Sequence, residues 1–379
     1  MTSHYNYIII GAGAAGLSLA MRLVQHPGLA GRSILIVDRS AKTTDDRTWC
    51  YWETGQGFFE DIVFARWNKL WVRHPKGEVA LDMGPYTYKM IRGLDLYNYC
   101  KTKLNAWSNV HFRIGEVGSV DTALGSVTVD GAVFTADLIF SSVLLSAPVL
   151  GKKDRYLLQH FRGWWIETDS DFFQPGTADL MNFRVSQQHG CTFVYVMPVG
   201  TRKALVEYTL FTSDALKDEE YDAGLLAFMD HELKPGPYKV ISVENGIIPM
   251  TNYRFPTSEG KVIYIGTAGG LTKPSTGYTF QNIQVHSQAL VDALVKDEPQ
   301  NLGYDPGSRF RFYDNVLLRV LDEKRIGGAD VFFRMFRENP AHKVFRFLDN
   351  ATNFAEELMI MHHSPKGIFI PAALREWFT

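Results

Sequence analysis

Gly11, Gly13 and Gly16, with an acid at Asp38, form the pattern that holds the pyrophosphate and ribose of a dinucleotide. Gly11 allows a tight turn, Gly13 lets the backbone approach a pyrophosphate, and Gly16 brings a helix close to a strand. The helix N-terminus then faces the phosphates with its amides and positive dipole end. Asp38 takes the ribose hydroxyls, with Arg39 beside it. A second glycine group, Gly266, Gly269, Gly270 and Gly277 around Thr267 and Pro274, permits backbone to approach a planar ring, or makes a plain surface loop. Glu207 is a candidate acid: on an alternating strand it shares a face with Leu205, Thr209 and Phe211. A carboxyl desolvated among such neighbours stays protonated near neutral pH. The alternative is an edge-strand glutamate facing water. Glu167, directly after Trp164-Trp165-Ile166, either relays a proton or orients Arg162.

The elements that must position these groups are legible as apolar runs. Tyr7-Ile8-Ile9-Ile10 precedes the first glycines, Ile34-Leu35-Ile36-Val37 precedes Asp38, and a helix pattern lies between, which calls for a parallel sheet covered by helices. The run Lys261 to Gly266 reads as a later strand of that sheet, leading into a helix from about Phe280 to Val295. Between them Gly163–Thr168, Leu180–Arg184, Thr192–Met197 and Ala204–Phe211 read as strands, the last two joined by a hairpin at 198–202. The fold class expected is α/β: a dinucleotide domain (1–85, 95–150 and 245–303) carrying an inserted antiparallel sheet (86–94 and 151–244) as substrate platform. Helical patterns fill 304–379: Phe312–Asp322, Asp330–Arg337, His342–Asp349 and Asn353–His362.

With 379 residues, no low-complexity linker and a formal charge of -2, the chain has no basic face for nucleic acid. Cys50, Cys100 and Cys191 lack metal-ligand spacing, as do His160, His189 and the pair His362-His363, so no metal site is expected and a reducing cytosol fits. The fingerprint begins within ten residues of Met1, so no signal peptide is expected, and the best apolar stretch, Leu138–Leu150, is too short to span a bilayer.

Several longer motifs resemble one family. They are Asp46-Arg47-Thr48-Trp49-Cys50-Tyr51-Trp52-Glu53, Tyr88–Gly93, Gln159–Thr168, Ala204–Thr209, Gly246-Ile247-Ile248-Pro249-Met250, and Ile265–Tyr278. Jointly they resemble the bacterial lycopene beta-cyclases of carotenoid synthesis over most of the chain. The resemblance implies a Rossmann-like FAD-binding domain, akin to flavoprotein monooxygenases and glutathione reductase. It also implies FAD kept reduced by NAD(P)H, and an intramolecular lyase that closes the acyclic ends of lycopene into beta-ionone rings without net oxidation. In related flavoproteins an acid follows the first glycine of the second turn. Here that position is Thr267. By the same resemblance Arg47, Thr48, Trp49 and Arg92 contact flavin or its phosphates, although each arginine could instead pair with a surface carboxylate. Glu207 occupies the position of the family's proposed acid/base.

Such a cyclisation needs a proton on an unactivated double bond, capture of the tertiary cation by a neighbouring double bond, and loss of a ring proton. Trp164, Trp165, Phe172 and Phe173 could stabilise the cation through their faces, by about 1 to 2 kcal/mol each when desolvated, or be ordinary core aromatics. Reduced flavin, if anionic, would do so more strongly in a dry cavity. A C40 hydrocarbon must be collected from a bilayer, so a cytoplasmic protein docked on the inner face of the cell membrane is expected. Phe332, Phe333, Met335, Phe336, Phe345 and Phe347, interleaved with Arg334, Arg337, Lys343 and Arg346, offer an interfacial face, or else cap the sheet. The rival functions are a flavin monooxygenase or desaturase on an apolar isoprenoid, and a non-catalytic isoprenoid carrier.

Overall fold

Uninterrupted apolar runs make strands buried on both faces, and they assemble here into a parallel sheet. The computed structural model describes residues 3–298, 302–324 and 326–378. β1 (Ser3–Ile10) pairs in parallel with β2 (Ile34–Asp38) on one side and with β11 (Ala132–Ser141) on the other. Beyond them lie β8 (Val110–Ile114) and β18 (Val262–Tyr264), also parallel, and β17 (Ser258–Glu259) closes the edge. β9 (Val117–Asp121) and β10 (Ser126–Val129) add an antiparallel hairpin to β11. Strand order reverses at β1, which opens a ligand crevice at its carboxyl end. α1 (Ala14–Gln25) is buried over almost its whole length between this sheet, α2 (Gly93–Leu104) and α4 (Phe280–Lys296).

The platform is a second sheet of order β16-β12-β15-β14-β13-β5-β6. β12 (Tyr156–Thr168) runs antiparallel to both β15 (Lys203–Thr212) and β16 (Tyr238–Thr251); β14 (Cys191–Pro198) and β13 (Thr177–Asn182) follow. The 198–202 hairpin forms as expected, closed by Val199 N–H donating to the Lys203 carbonyl at 2.8 Å. The sheet draws on more of the chain than the expected insert, because β5 (Lys69–His74) and β6 (Gly77–Leu81) extend it past β13. The segment 86–94 goes elsewhere: β7 (Tyr86–Arg92) joins β3 (Thr48–Thr54) and β4 (Ala65–Trp67) in a small sheet.

α3 (Asp218–Phe228) covers one face of the platform, over Trp164, Val206 and Tyr208. The opposite face is shared between the cavity described below and the C-terminal helices α5 (Ser308–Asp322), α6 (Gly328–Glu338), α7 (Ala341–Leu348), α8 (Phe354–His362) and α9 (Lys366–Trp377). Of the two alternatives for these aromatics, interfacial face or cap, the structure has the cap. Phe332 is 1 % and Phe345 0 % exposed, Phe333 and Phe336 are buried with them, and the Phe332 ring meets Phe211 of β15. An amphipathic pattern records only that one side of a helix avoids water, and here a sheet supplies that side. No helix among the described residues is long and apolar enough to cross a membrane.

Candidate active site

The two glycine turns meet. Gly11 adopts φ 101°, and a Cβ there would lie 2.0 Å from Ser142 Oγ; at Gly16 a Cβ would lie 2.0 Å from the Gly11 carbonyl, so α1 sits directly on the turn. Gly13 differs, since a Cβ there meets nothing within 4 Å. Its open side faces a cavity of about 430 Å³, lined also by Ala14, Ala15, Gly266, Thr267 and Gly277. Gly266, at φ 61°, comes so close to Ala15 that a Cβ would be 3.0 Å from that methyl. The Asp38 carboxylate accepts from the amides of Ala12 (2.7 Å) and Ser40 (2.9 Å), which fixes the turn while leaving lone pairs for a ribose. Arg39 is exposed beside it. Gly269, Gly270 and Pro274 lie apart from this space and line a separate cavity of about 240 Å³ behind the turn, beside the buried Lys273–Asp314 pair.

Two buried polar atoms on the main cavity wall have no partner: Trp49 Nε1 and Gln159 Oε1. Buried donors and acceptors are almost always satisfied, so one unpaired donor and one unpaired acceptor facing a glycine-lined space fit a polar, ring-bearing ligand. Gln159 Oε1 also occupies the place a Cβ at Gly277 would take, 2.0 Å away. Arg47 lines the cavity and its carbonyl is held by the Gly93 amide at 2.6 Å. Arg92 does not reach the cavity: it pairs with Asp95 at 2.6 Å and stacks on Phe64. Glu53 and Glu60 both pair with the buried Lys89.

The cavity floor is the platform sheet, and parity along its strands decides what faces in. In register, Gly163 of β12 stands opposite Glu207 of β15 on one side and Glu244 of β16 on the other. With no side chain between them, the two carboxyl groups come within hydrogen-bond reach. Thr209 donates to Glu207 Oε1 (3.0 Å); Thr48 (2.7 Å) and the Trp165 indole (3.1 Å) both donate to Glu244 Oε2. Burial, reinforced by the facing Glu244, pushes the Glu207 carboxyl well above the usual range. Burial also raises Glu244, an effect its Thr48 and Trp165 donors offset only in part.

The same parity separates the expected residues. Trp165 faces the carboxyl pair, whereas Trp164 points to the α3 side and donates to Asp222. Phe173 is buried in the α3-side core and Phe172 is exposed; neither lines the cavity. Glu167 is remote from the pair, its side chain 38 % exposed and 3.8 Å from Lys203. It does not orient Arg162, which Asp218 and Asp222 hold instead. The aromatic walls are Trp49, Phe161, Tyr195, Tyr278 and Phe280 with Tyr88, whose hydroxyl meets that of Tyr278 at 3.1 Å. Those tyrosines and Glu244 escaped sequence reasoning. Tyr88 and Tyr278 stand at the ends of the motifs Tyr88–Gly93 and Ile265–Tyr278, Tyr195 lies in the strand run Thr192–Met197, and Glu244 lies two residues before Gly246–Met250, all without a signal that marked them.

The family model described as lycopene cyclase protein matches residues 6–373. Lycopene beta-cyclase of Pantoea ananas is 24% identical, with 100% of this chain and 99% of that one covered. Chloroplastic neoxanthin synthase of Solanum tuberosum is 26% identical over 78% of this chain, which spans only 61% of that longer protein. Among solved structures, a geranylgeranyl bacteriochlorophyll reductase-like protein of Thermoplasma acidophilum superposes with TM-score 0.68 at 11% identity, covering 98% of this chain and 99% of that one. A flavin-dependent halogenase of Xanthomonas campestris gives TM-score 0.60 at 10% identity, covering 100% and 96%.

Proposed function

This chain belongs to the lycopene cyclase protein family, and we propose that it is a lycopene beta-cyclase, an intramolecular lyase that turns the acyclic psi ends of lycopene into beta-ionone rings by way of gamma-carotene to beta-carotene. The observation that carries this reading is the buried Glu207 carboxyl, held neutral at the floor of an aromatic cavity that adjoins both glycine turns. Glu207 gives its proton to the terminal alkene; the neighbouring alkene closes on the tertiary cation; a ring C–H then surrenders a proton to complete the double bond. Proton gain and loss cancel, so no oxidant is consumed.

The residues fit FAD. The amides at Gly13–Ala15 would hold the pyrophosphate, Asp38 the ribose, and Gly266, Thr267, Trp49 Nε1 and Gln159 Oε1 would border the ring system. When bound and kept reduced by NAD(P)H, the flavin supplies negative charge near the cation in a non-redox role. The faces of Phe161, Trp49 and Tyr195 add about 2 kcal/mol each where they lie against a desolvated cation. The walls also exclude water that would quench it.

A bilayer source for the substrate is supported by a different surface from the one the sequence suggested. On α8, Phe354, Leu358 and Met359 share an exposed face, and on α9 Ile370, Leu374 and Trp377 recur at helical spacing, with Trp377 75 % exposed. That surface fits peripheral docking at the inner face of the cell membrane.

Expression in cells that accumulate lycopene tests the function. The wild-type chain is expected to convert the pigment to beta-carotene, and its purified form to turn over anaerobically once its flavin is reduced. A requirement for oxygen would place it with the fold's monooxygenases instead. Cyclisation at the wild-type rate by Glu207→Gln would remove Glu207 from the chemistry.

A further inference from the structure

Gly163 is the reason two carboxyl groups can meet in this cavity. A Cβ there would stand between the two acids, 2.9 Å from Leu205 Cδ1, 3.1 Å from Glu244 Cγ and 3.5 Å from Glu207 Cβ, and would crowd their approach. The hydrogen bonds around the pair are unequal. An indole N–H can only donate, so Glu244 Oε2, which takes both Trp165 and Thr48, carries no proton. Its other oxygen is left for Glu207. On Glu207 a single hydroxyl, that of Thr209, meets Oε1, which leaves the second oxygen to bear the proton the two groups share.

We propose that Glu244 is the ionised half of a one-proton carboxyl pair: a positioning residue that keeps Glu207 loaded at neutral pH and sets a fixed negative charge beside the cation that forms. The inference rests on the cyclase reading of the cavity and adds to it a second carboxylate. In the step itself the O–H bond of Glu207 breaks, its proton becomes a new C–H bond with the alkene π pair, and both carboxyl groups are briefly anionic against one cation. When the ring C–H breaks, its electron pair becomes the ring double bond and the proton returns to the pair. Two like charges that close cannot persist once the cation is neutralised, which drives that return.

Other groups facing the pair leave this assignment intact. Cys50 of β3, Tyr88 of β7, Tyr195 of β14 and Tyr278 are all held neutral by burial. Asp45, in the loop before β3, adds further negative charge at Glu244, and Arg47 is the cation in the cavity lining.

The test compares Glu244→Gln, Glu244→Asp and Glu207→Gln as purified holoenzymes, by two readouts: the pH profile of lycopene cyclisation in vesicles, and the protonated-carboxyl stretch in infrared spectra taken in H2O and D2O. Wild type should show one buried protonated carboxyl whose titration coincides with the basic limb of the rate profile. Glu244→Gln should keep that band but move both its titration and the basic limb to lower pH by about one to three units, because a like charge has gone. Each unit lowers turnover on the limb about tenfold. Glu244→Asp should restore the wild-type profile in part. An unchanged basic limb and band titration in Glu244→Gln, whatever the rate, would overturn the proposal, since a merely structural residue lowers activity without moving either. Loss of the cyclase reading looks different: no wild-type product, or full activity in Glu207→Gln, with the carboxyl titration still readable.

Discussion

Replacing Glu207 by Gln should abolish cyclisation and at the same time make the protein more stable at neutral pH. An unfolded glutamate titrates near 4.5, whereas in the fold burial and then Glu244 raise Glu207 well above that value. Between those two values the folded state binds one proton more than the unfolded chain. The sign follows: this contribution to stability is fully present below pH 4.5 and is lost as pH rises towards the folded pKa. The slope is about 1.4 kcal/mol per pH unit for one proton. If the pair holds its proton throughout, the interval from pH 5 to pH 7 costs about 2.7 kcal/mol, a substantial part of a typical domain's stability. Gln is nearly the same shape, still accepts from Thr209, donates to Glu244 and does not titrate. Other shifted groups, such as His160, lowered to about 4, and Asp349, raised to about 7, are common to both proteins and cancel in the difference. Urea unfolding at pH 5, 6 and 7, followed by tryptophan fluorescence with equal m-values, measures that difference directly. The Gln variant should gain on wild type by roughly 1.4 kcal/mol per unit. Parallel pH dependence of the two proteins would refute the reasoning, because it would mean that Glu207 titrates in the fold as it does in the unfolded chain. An acid kept neutral for the proposed chemistry at a cost in stability is the usual trade between activity and robustness.

Two further outcomes test the cofactor and the membrane readings. Gly13→Ala should cost no more than about 1 kcal/mol of unfolding free energy, the loss of a favourable N-cap, because its Cβ meets no protein atom within 4 Å, yet strip most of the flavin absorbance from the purified protein; flavin bound at wild-type stoichiometry would show that the pyrophosphate lies elsewhere. Leu374→Asp with Trp377→Ser should lower the fraction of protein that floats with anionic vesicles at least tenfold, since each side chain contributes about 1.5 to 3 kcal/mol if fully buried in lipid, while cyclisation of detergent-dispersed lycopene is kept; equal flotation would move the docking surface off α9.

What could be read from the chain and what could not divide along sequence distance. The turn at Gly11 to Gly16, its flanking runs and Asp38 lie within one βαβ unit, where each residue type answers a local demand of backbone or phosphate, and the structure has them as expected. Glu207 was legible for a similar reason, because alternation along a single strand shows that its neighbours are apolar. Glu244 lies 81 residues from the glycine that lets it meet Glu207, on an edge strand whose mixed sequence, Lys239-Val240-Ile241-Ser242-Val243-Glu244-Asn245, carries no clean period. The choice between Trp164 and Trp165 shows the same limit in its smallest form. Alternation requires that only one of them face the cavity, but which one depends on the register of β12 against β15, and a shift of a single residue exchanges them. Once Gly163 is set opposite Glu207, every second residue of β12 follows: Gln159, Phe161 and Trp165 turn inwards, and His160, Arg162 and Trp164 turn towards α3. The chemistry proposed for this family member therefore depends less on the acid itself than on the pairing that places a residue without a side chain between two acids.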